Sequence, residues 1–119
     1  MSDTLESHLV HERRNRPDGP SPVDLVSVQS QLAYGYAGNS AAVPVLRMLG
    51  VRVAEVPTTL LSNTPFYPTL RGRVLPSDWL AELLQGLDER GVTARAPLLV
   101  SGYFGSVANG EAFAAWLER

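Results

Sequence analysis

Side chains that could bind a small ligand stand in three short segments of this sequence. These segments are 30–39, 58–67 and 101–106. They carry hydroxyl, amide and aromatic groups, among them Ser30, Thr59 and Tyr103. Hydroxyl and amide groups exchange hydrogen bonds, and an aromatic face stacks on a planar ring. Their residue types favour non-covalent binding over covalent catalysis.

Residue types that several other chemistries require are missing. The chain has no cysteine, which excludes disulfides, thiolate metal sites and cysteine nucleophiles. All ten basic residues are arginine, so there is no lysine for a P-loop. No Gly-x-Gly-Asp motif occurs, and no carboxylate stands out as a general base. We therefore assign no catalytic, cofactor-binding or metal-binding residue.

Composition narrows the class of protein further. The 119 residues are 45% hydrophobic and 18% charged, which is typical of one globular domain or part of one. A net charge of −2 argues against nucleic-acid binding. The sequence has neither a signal-peptide pattern nor an apolar run of the ~18 residues that a membrane span needs. These features predict a cytoplasmic protein.

Residues 1–23 are polar and rich in Pro and Arg, which predicts a flexible N-terminal leader. His8 and His11 have the i, i+3 spacing of a helical metal site, but no third ligand accompanies them. We assign them no site.

After the leader, strand-like and helix-like segments alternate. The predicted elements are a strand over 25–30, a helix from Asn39 to Gly50, a strand over 51–57, a long loop or irregular strand pair over 58–75, a helix over 76–90, a strand over 97–101 and a helix over 109–119. Asn39 or Ser40 is the predicted cap of the first helix. A βαβαβα order predicts a parallel sheet with helices on both faces. Ligands of such sheets bind at the carboxyl ends of the strands, which here are the three segments above.

Five motifs of the sequence resemble a known family. They are SVQSQ (27–31), YGYAGNSAAV (34–43), VPTTLLSNTP (56–65), RGRVLPSDW (71–79) and SGYFGS (101–106). In this order and spacing they resemble the opening part of pyridoxal/pyridoxine kinases of the ribokinase-like superfamily. The resemblance implies that residues 24–119 are the N-terminal, vitamer-binding part of such a kinase, without its C-terminal ATP-binding and catalytic half.

The same resemblance implies an activity and its partners. Such kinases transfer the γ-phosphate of ATP to the 5′-hydroxyl of pyridoxal, pyridoxine or pyridoxamine, with Mg²⁺, and the complete enzyme is expected to be a homodimer. The catalytic Asp is expected in the C-terminal half, so this chain alone should be inactive. Without lysine, the chain cannot hold pyridoxal phosphate as a Schiff base. It would bind the vitamer as a substrate.

The resemblance also implies roles for four substrate-binding residues. Ser30 would hydrogen-bond the pyridine nitrogen, while Thr59 and Tyr103 would line the ring. Phe66 stands where some similar kinases have His, so it would stack on the ring or pack under its loop. Without the resemblance, a strand-end cap is the more common role for Ser30.

Two alternatives stay open at this point. One is a hydroxymethylpyrimidine kinase-like enzyme, which would share the half-fold. The other is a truncated, non-catalytic binding module.

Overall fold

The computed structural model describes residues 4–8 and 23–119. Residues 5–8 form a single helical turn. Most of the predicted leader, including His11, lies outside the described residues.

Four strands form one sheet in the spatial order β3-β2-β1-β4. They are β1 (Leu25–Leu32), β2 (Val53–Leu61), β3 (Gly72–Val74) and β4 (Leu98–Ser101). β1 pairs in parallel with both β2 and β4, as predicted.

The predicted parallel sheet is extended at one edge by β3, which runs antiparallel to β2. After β2 the chain turns back through 62–71, where Ser62 N–H donates to Arg71 O. Such a short return can only place the next strand antiparallel, because a parallel neighbour needs a crossover of a dozen or more residues. The predicted irregular strand pair over 58–75 is this β2–β3 hairpin.

Helices connect and cover the strands. They are α1 (Asn39–Met48), α2 (Ser77–Glu89), α3 (Val92–Arg95) and α4 (Val107–Glu118). The three predicted helices are confirmed within two residues at each end, as is usual for boundaries read from sequence. The single turn α3 was missed because four residues are too few to show a hydrophobic period.

Both faces of the sheet are covered by helices. Val26 and Val28 of β1 pack with Leu80, Leu84 and Phe113 in the core, on the face of α2 and α4. Ser27 points to the opposite face, where its hydroxyl bonds Asn39 of α1. Because side chains alternate along a strand, β1 supplies both layers. The predicted two-sided arrangement is confirmed.

Within the described residues, β4 is an edge strand that pairs only with β1. Its apolar side chains are unusually accessible, with Leu98 57% and Val100 39% exposed. An apolar edge of this kind is a surface on which further chain can pair.

An ion pair between Asp24 and Arg52 joins the residues that precede β1 and β2. The Asp24 carboxylate accepts from Arg52 Nη2 at 2.8 Å, from Nε at 3.0 Å and from the Arg52 backbone N–H at 2.9 Å. Hydrogen bonds from the Arg52 side chain, then from its backbone, lower the pKa of Asp24 to about 2.

The Asp24–Arg52 pair should make stability depend on acid pH. Because the folded pKa of about 2 lies below the ordinary value of 3.8, the pair stabilises the fold above pH 3.8, and this contribution is lost as the pH falls through about 2. We expect Asp24→Asn to lower the urea midpoint at neutral pH, with the difference from wild type disappearing toward pH 2. Arg52→Gln should lose less, because the backbone N–H of residue 52 still donates to Asp24, and the double variant should lose no more than Asp24→Asn. A difference that persists unchanged at pH 2 would contradict this cause.

Candidate ligand-binding site

The carboxyl ends of β1, β2 and β4 meet at one edge of the sheet, and the pairing of β1 with β2 is irregular there. Gln29 pairs with Pro57, but Gln31 pairs with Leu60. Thr58 and Thr59 therefore stand opposite the single residue Ser30, which makes a β-bulge. Bulges redirect side chains and are frequent beside functional sites.

The two threonines of the bulge contact the loop that follows β4. Thr58 Oγ1 donates a hydrogen bond of 2.6 Å to the carbonyl oxygen of Tyr103. Thr59 lies against Gly105, where an added Cβ would come within 2.9 Å of the Thr59 methyl carbon. The structure thus brings the chain at Ser30, Thr59 and Tyr103, three of the four predicted site residues, to one edge of the sheet.

Thr59 is enclosed, with only 1% of its surface exposed. Its hydroxyl has no hydrogen-bond partner among the described residues. A buried polar group without a partner costs about 1–3 kcal/mol. The Thr59 side chain packs beneath the loop that follows β4 and presents almost no surface of its own to solvent.

Ser30 is only partly buried, and its hydroxyl makes no side-chain hydrogen bond to another described residue. Its Oγ lies beside Gly38, the residue that precedes α1. If Ser30 capped the strand, its hydroxyl would bond a neighbouring backbone group. No such hydrogen bond from the Ser30 hydroxyl occurs among the described residues. The Ser30 hydroxyl therefore keeps unused hydrogen-bonding capacity within the described chain.

The predicted helix caps are wrong, because Asn39 and Ser40 bond the sheet. Asn39 is completely buried. Its Oδ1 accepts from Ser27 Oγ at 2.7 Å, and its Nδ2 donates to the carbonyls of Gln29 (3.3 Å) and Val56 (3.1 Å). Ser40 Oγ accepts from Leu32 N–H at 2.9 Å. The sequence pattern could not show this, since Asn and Ser are also the usual capping residues.

The polar network around Asn39 reaches the loop after β4. Gln29 Nε2 donates to Ser27 Oγ at 3.0 Å. An added Cβ on Gly102 would lie 2.7 Å from Gln29 Oε1, so the glutamine packs directly against that loop. The network joins β1, β2, α1 and the β4 loop beneath the site.

The two predicted aromatic residues differ in their surroundings. Tyr103 is 67% exposed but its backbone is anchored by Thr58. Phe66 is 96% exposed on the 62–71 loop, and no described contact joins it to the other three residues. With 96% of its surface exposed, Phe66 does not pack under that loop.

A group of tyrosines beside the site was not predicted. The rings of Tyr34 and Tyr67 lie 6.0 Å apart at 52°. With Tyr36 they line an open cleft of about 470 Å³. The motifs YGY (34–36) and PFY (65–67) were the signal in the sequence, but only the return of the 62–71 loop brings them together.

No group of three or more His, Cys, Asp or Glu that could hold a metal ion occurs among the residues in the structure, 4–8 and 23–119. Over the same ranges, no helix is both long and apolar enough to cross a membrane.

Known proteins that are similar to the chain in sequence and fold include pyridoxal kinases. No protein-family model matches the chain. It is 48% identical over 98 residues to the pyridoxine/pyridoxal/pyridoxamine kinase of Bordetella pertussis, covering 82% of this chain and 35% of that protein. It also resembles a Leishmania donovani pyridoxal kinase solved with ADP and pyridoxamine (TM-score 0.74, 26% identity, 79% of this chain and 33% of that one). A pyridoxal kinase from Entamoeba histolytica shares the fold with a TM-score of 0.80 at 21% identity, over 83% of this chain and 36% of that one.

Parallel strands covered by helices on both faces, with an antiparallel β3 at one edge, place the chain in the ribokinase-like class of α/β folds. Within that class, the chain is homologous to the pyridoxal kinases over most of its length. It spans about a third of the length of these relatives. The resemblance predicted from the five sequence motifs is confirmed.

Proposed function

We propose that this chain is the vitamer-binding part of a pyridoxal/pyridoxine/pyridoxamine kinase. The observation that carries the proposal is the meeting of Ser30, Thr59 and the Tyr103 loop at one sheet edge, in a chain 48% identical to such a kinase. The Leishmania relative was solved with both ADP and pyridoxamine, which supports the same pair of ligands here.

Ser30 would donate its hydrogen bond to the pyridine nitrogen of the vitamer. A hydroxyl suits a neutral ring nitrogen because it brings no charge that must be desolvated. Thr59 would support the Gly105 loop beside the ring from beneath, and Tyr103 and Phe66 would offer aromatic faces. These residues orient the vitamer and exclude water from one side of it.

Phosphoryl transfer itself needs groups that the described residues do not supply. By resemblance, an Asp in the C-terminal half would take the proton of the 5′-hydroxyl, and ATP with Mg²⁺ would bind in that half. We propose that the apolar edge of β4 is where that half continues the sheet. The complete enzyme would be a cytoplasmic homodimer.

A chimeric kinase tests the proposal. Residues 24–119 would replace the matching segment of the Bordetella pertussis kinase, with the unaltered enzyme as control. We expect the chimera to phosphorylate pyridoxal in the presence of ATP and Mg²⁺, and the 119-residue chain alone to be inactive. A folded chimera that binds ATP but not pyridoxal would instead favour the non-catalytic module. If the chimera phosphorylated hydroxymethylpyrimidine in preference to pyridoxal, the result would favour a hydroxymethylpyrimidine kinase-like enzyme.

Ser30→Ala in this chimera tests the main predicted contact. The loss of one neutral hydrogen bond should weaken pyridoxal binding by about 0.5–1.5 kcal/mol. The affinity for ATP and the melting temperature should change little, because Ser30 Oγ bonds no other described residue. Ser40→Ala is a matched control, since Ser40 bonds the backbone of Leu32 and should affect stability more than pyridoxal affinity. A lower melting temperature with unchanged pyridoxal affinity would make Ser30 a structural residue.

A further inference from the structure

Gly38 lies against Ser30 so closely that no side chain fits between them. A Cβ atom on Gly38 would stand 2.3 Å from the carbonyl oxygen of Ser30 and 2.6 Å from its Oγ. The nearer of these atoms is backbone, so rotation of the Ser30 side chain could not relieve the collision.

The start of α1 is tied to β1 on both sides of this contact. Asn39 donates to the carbonyl of Gln29, and Ser40 Oγ accepts from the backbone N–H of Leu32. Gly38 therefore cannot withdraw without breaking bonds to the residues that flank Ser30. The bulge leaves Ser30 without a regular partner on β2. A side chain at position 38 would therefore displace Ser30 rather than the start of α1.

We propose that Gly38 is a positioning residue for Ser30. The absence of a side chain at Gly38 lets the Ser30 hydroxyl lie at the bulge near the C-terminal end of β1, in the orientation needed for a ligand. This inference rests on the proposed function only in taking that ligand to be the vitamer. Gly38 would place the Ser30 hydroxyl in the same way whichever ligand binds.

Gly50 provides a matched control at the other end of α1. Both glycines have positive φ, +53° at Gly38 and +83° at Gly50. Residues that carry a side chain are strained in this backbone conformation. An added Cβ at Gly50 would meet no atom within 4 Å. Comparing Gly38→Ala with Gly50→Ala therefore separates the collision with Ser30 from the shared backbone strain.

The first measurement is structural and needs no ligand. In NMR spectra of the 119-residue chain, Gly38→Ala should shift the amide resonances of Ser30 and Gln31, whereas Gly50→Ala should leave them in place. Unchanged Ser30 resonances in Gly38→Ala, or equal shifts in both variants, would overturn the proposal. If Gly38→Ala does not fold in the 119-residue chain, the same pair of variants is compared by crystallography in the chimeric kinase.

The second measurement is kinetic and uses the chimeric kinase. Gly38→Ala should raise KM for pyridoxal about three- to tenfold, as expected for one lost hydrogen bond, without changing KM for ATP. In a Ser30→Ala background, the same substitution should add less than about twofold, because the contact is already lost. Equal increases in both backgrounds would show that Gly38 does not act through Ser30. Failure of the proposed function would appear differently, as an unchanged pyridoxal KM in Ser30→Ala itself.

Discussion

Replacing Asn39 with Ala is expected to lower the free energy of unfolding by about 3 kcal/mol, close to the upper end for a single polar residue. The amide is completely buried and bonds Ser27, Gln29 and Val56, which lie on two strands. Its removal leaves two carbonyls and a hydroxyl without their partner, in a place that water does not reach. Urea denaturation of the purified chain measures the effect.

Asn63→Ala is the matched control for Asn39→Ala. Asn63 also bonds two carbonyls and a hydroxyl, those of Thr64, Thr69 and Ser62, but it lies in the more accessible 62–71 loop. Water can replace these bonds, so the expected loss is about 0.5–1 kcal/mol. Equal losses in the two variants would contradict the structural role of the Asn39 network.

Thr59→Val is expected to have a large effect of the opposite sign, raising the free energy of unfolding by about 1–2 kcal/mol. Valine keeps the shape of threonine, and the hydroxyl that it removes is buried without a described partner. Because the packing of residue 59 against Gly105 is preserved, the affinity of the chimeric kinase for pyridoxal should change by less than about twofold. Thermal and urea unfolding measure the first effect, and pyridoxal titration measures the second.

The neighbouring Thr58→Val is the control for Thr59→Val. Thr58 donates a 2.6 Å hydrogen bond to the carbonyl of Tyr103, so its substitution should destabilise the fold by about 1 kcal/mol. Two adjacent threonines, changed in the same way, should therefore shift stability in opposite directions. Destabilisation by both substitutions would mean that the Thr59 hydroxyl has a partner.

The pair of threonines shows where prediction from sequence was limited. Thr58 and Thr59 are chemically identical, and nothing local distinguishes the bonded hydroxyl from the unpaired one. The difference arises from the bulge opposite Ser30 and from the loop 45 residues further along the chain. Asn39 is a second case, because its partners Ser27 and Val56 lie 12 and 17 residues away.

Local patterns in the sequence determined the helices and strands, and the sheet edge at which the candidate site lies. The stripe of Leu80 and Leu84 specified the helix α2, and the short β-branched run after Asp24 specified β1, because periodic burial depends only on spacing along the chain. The strand-helix alternation and the five motifs then indicated the ligand edge and the kinase family. Tertiary structure alone decided the antiparallel β3, the bulge at Ser30, the contact of Ser30 with Gly38 and the exposure of Phe66. Each of these depends on register or contact between segments distant in sequence, which no local pattern encodes.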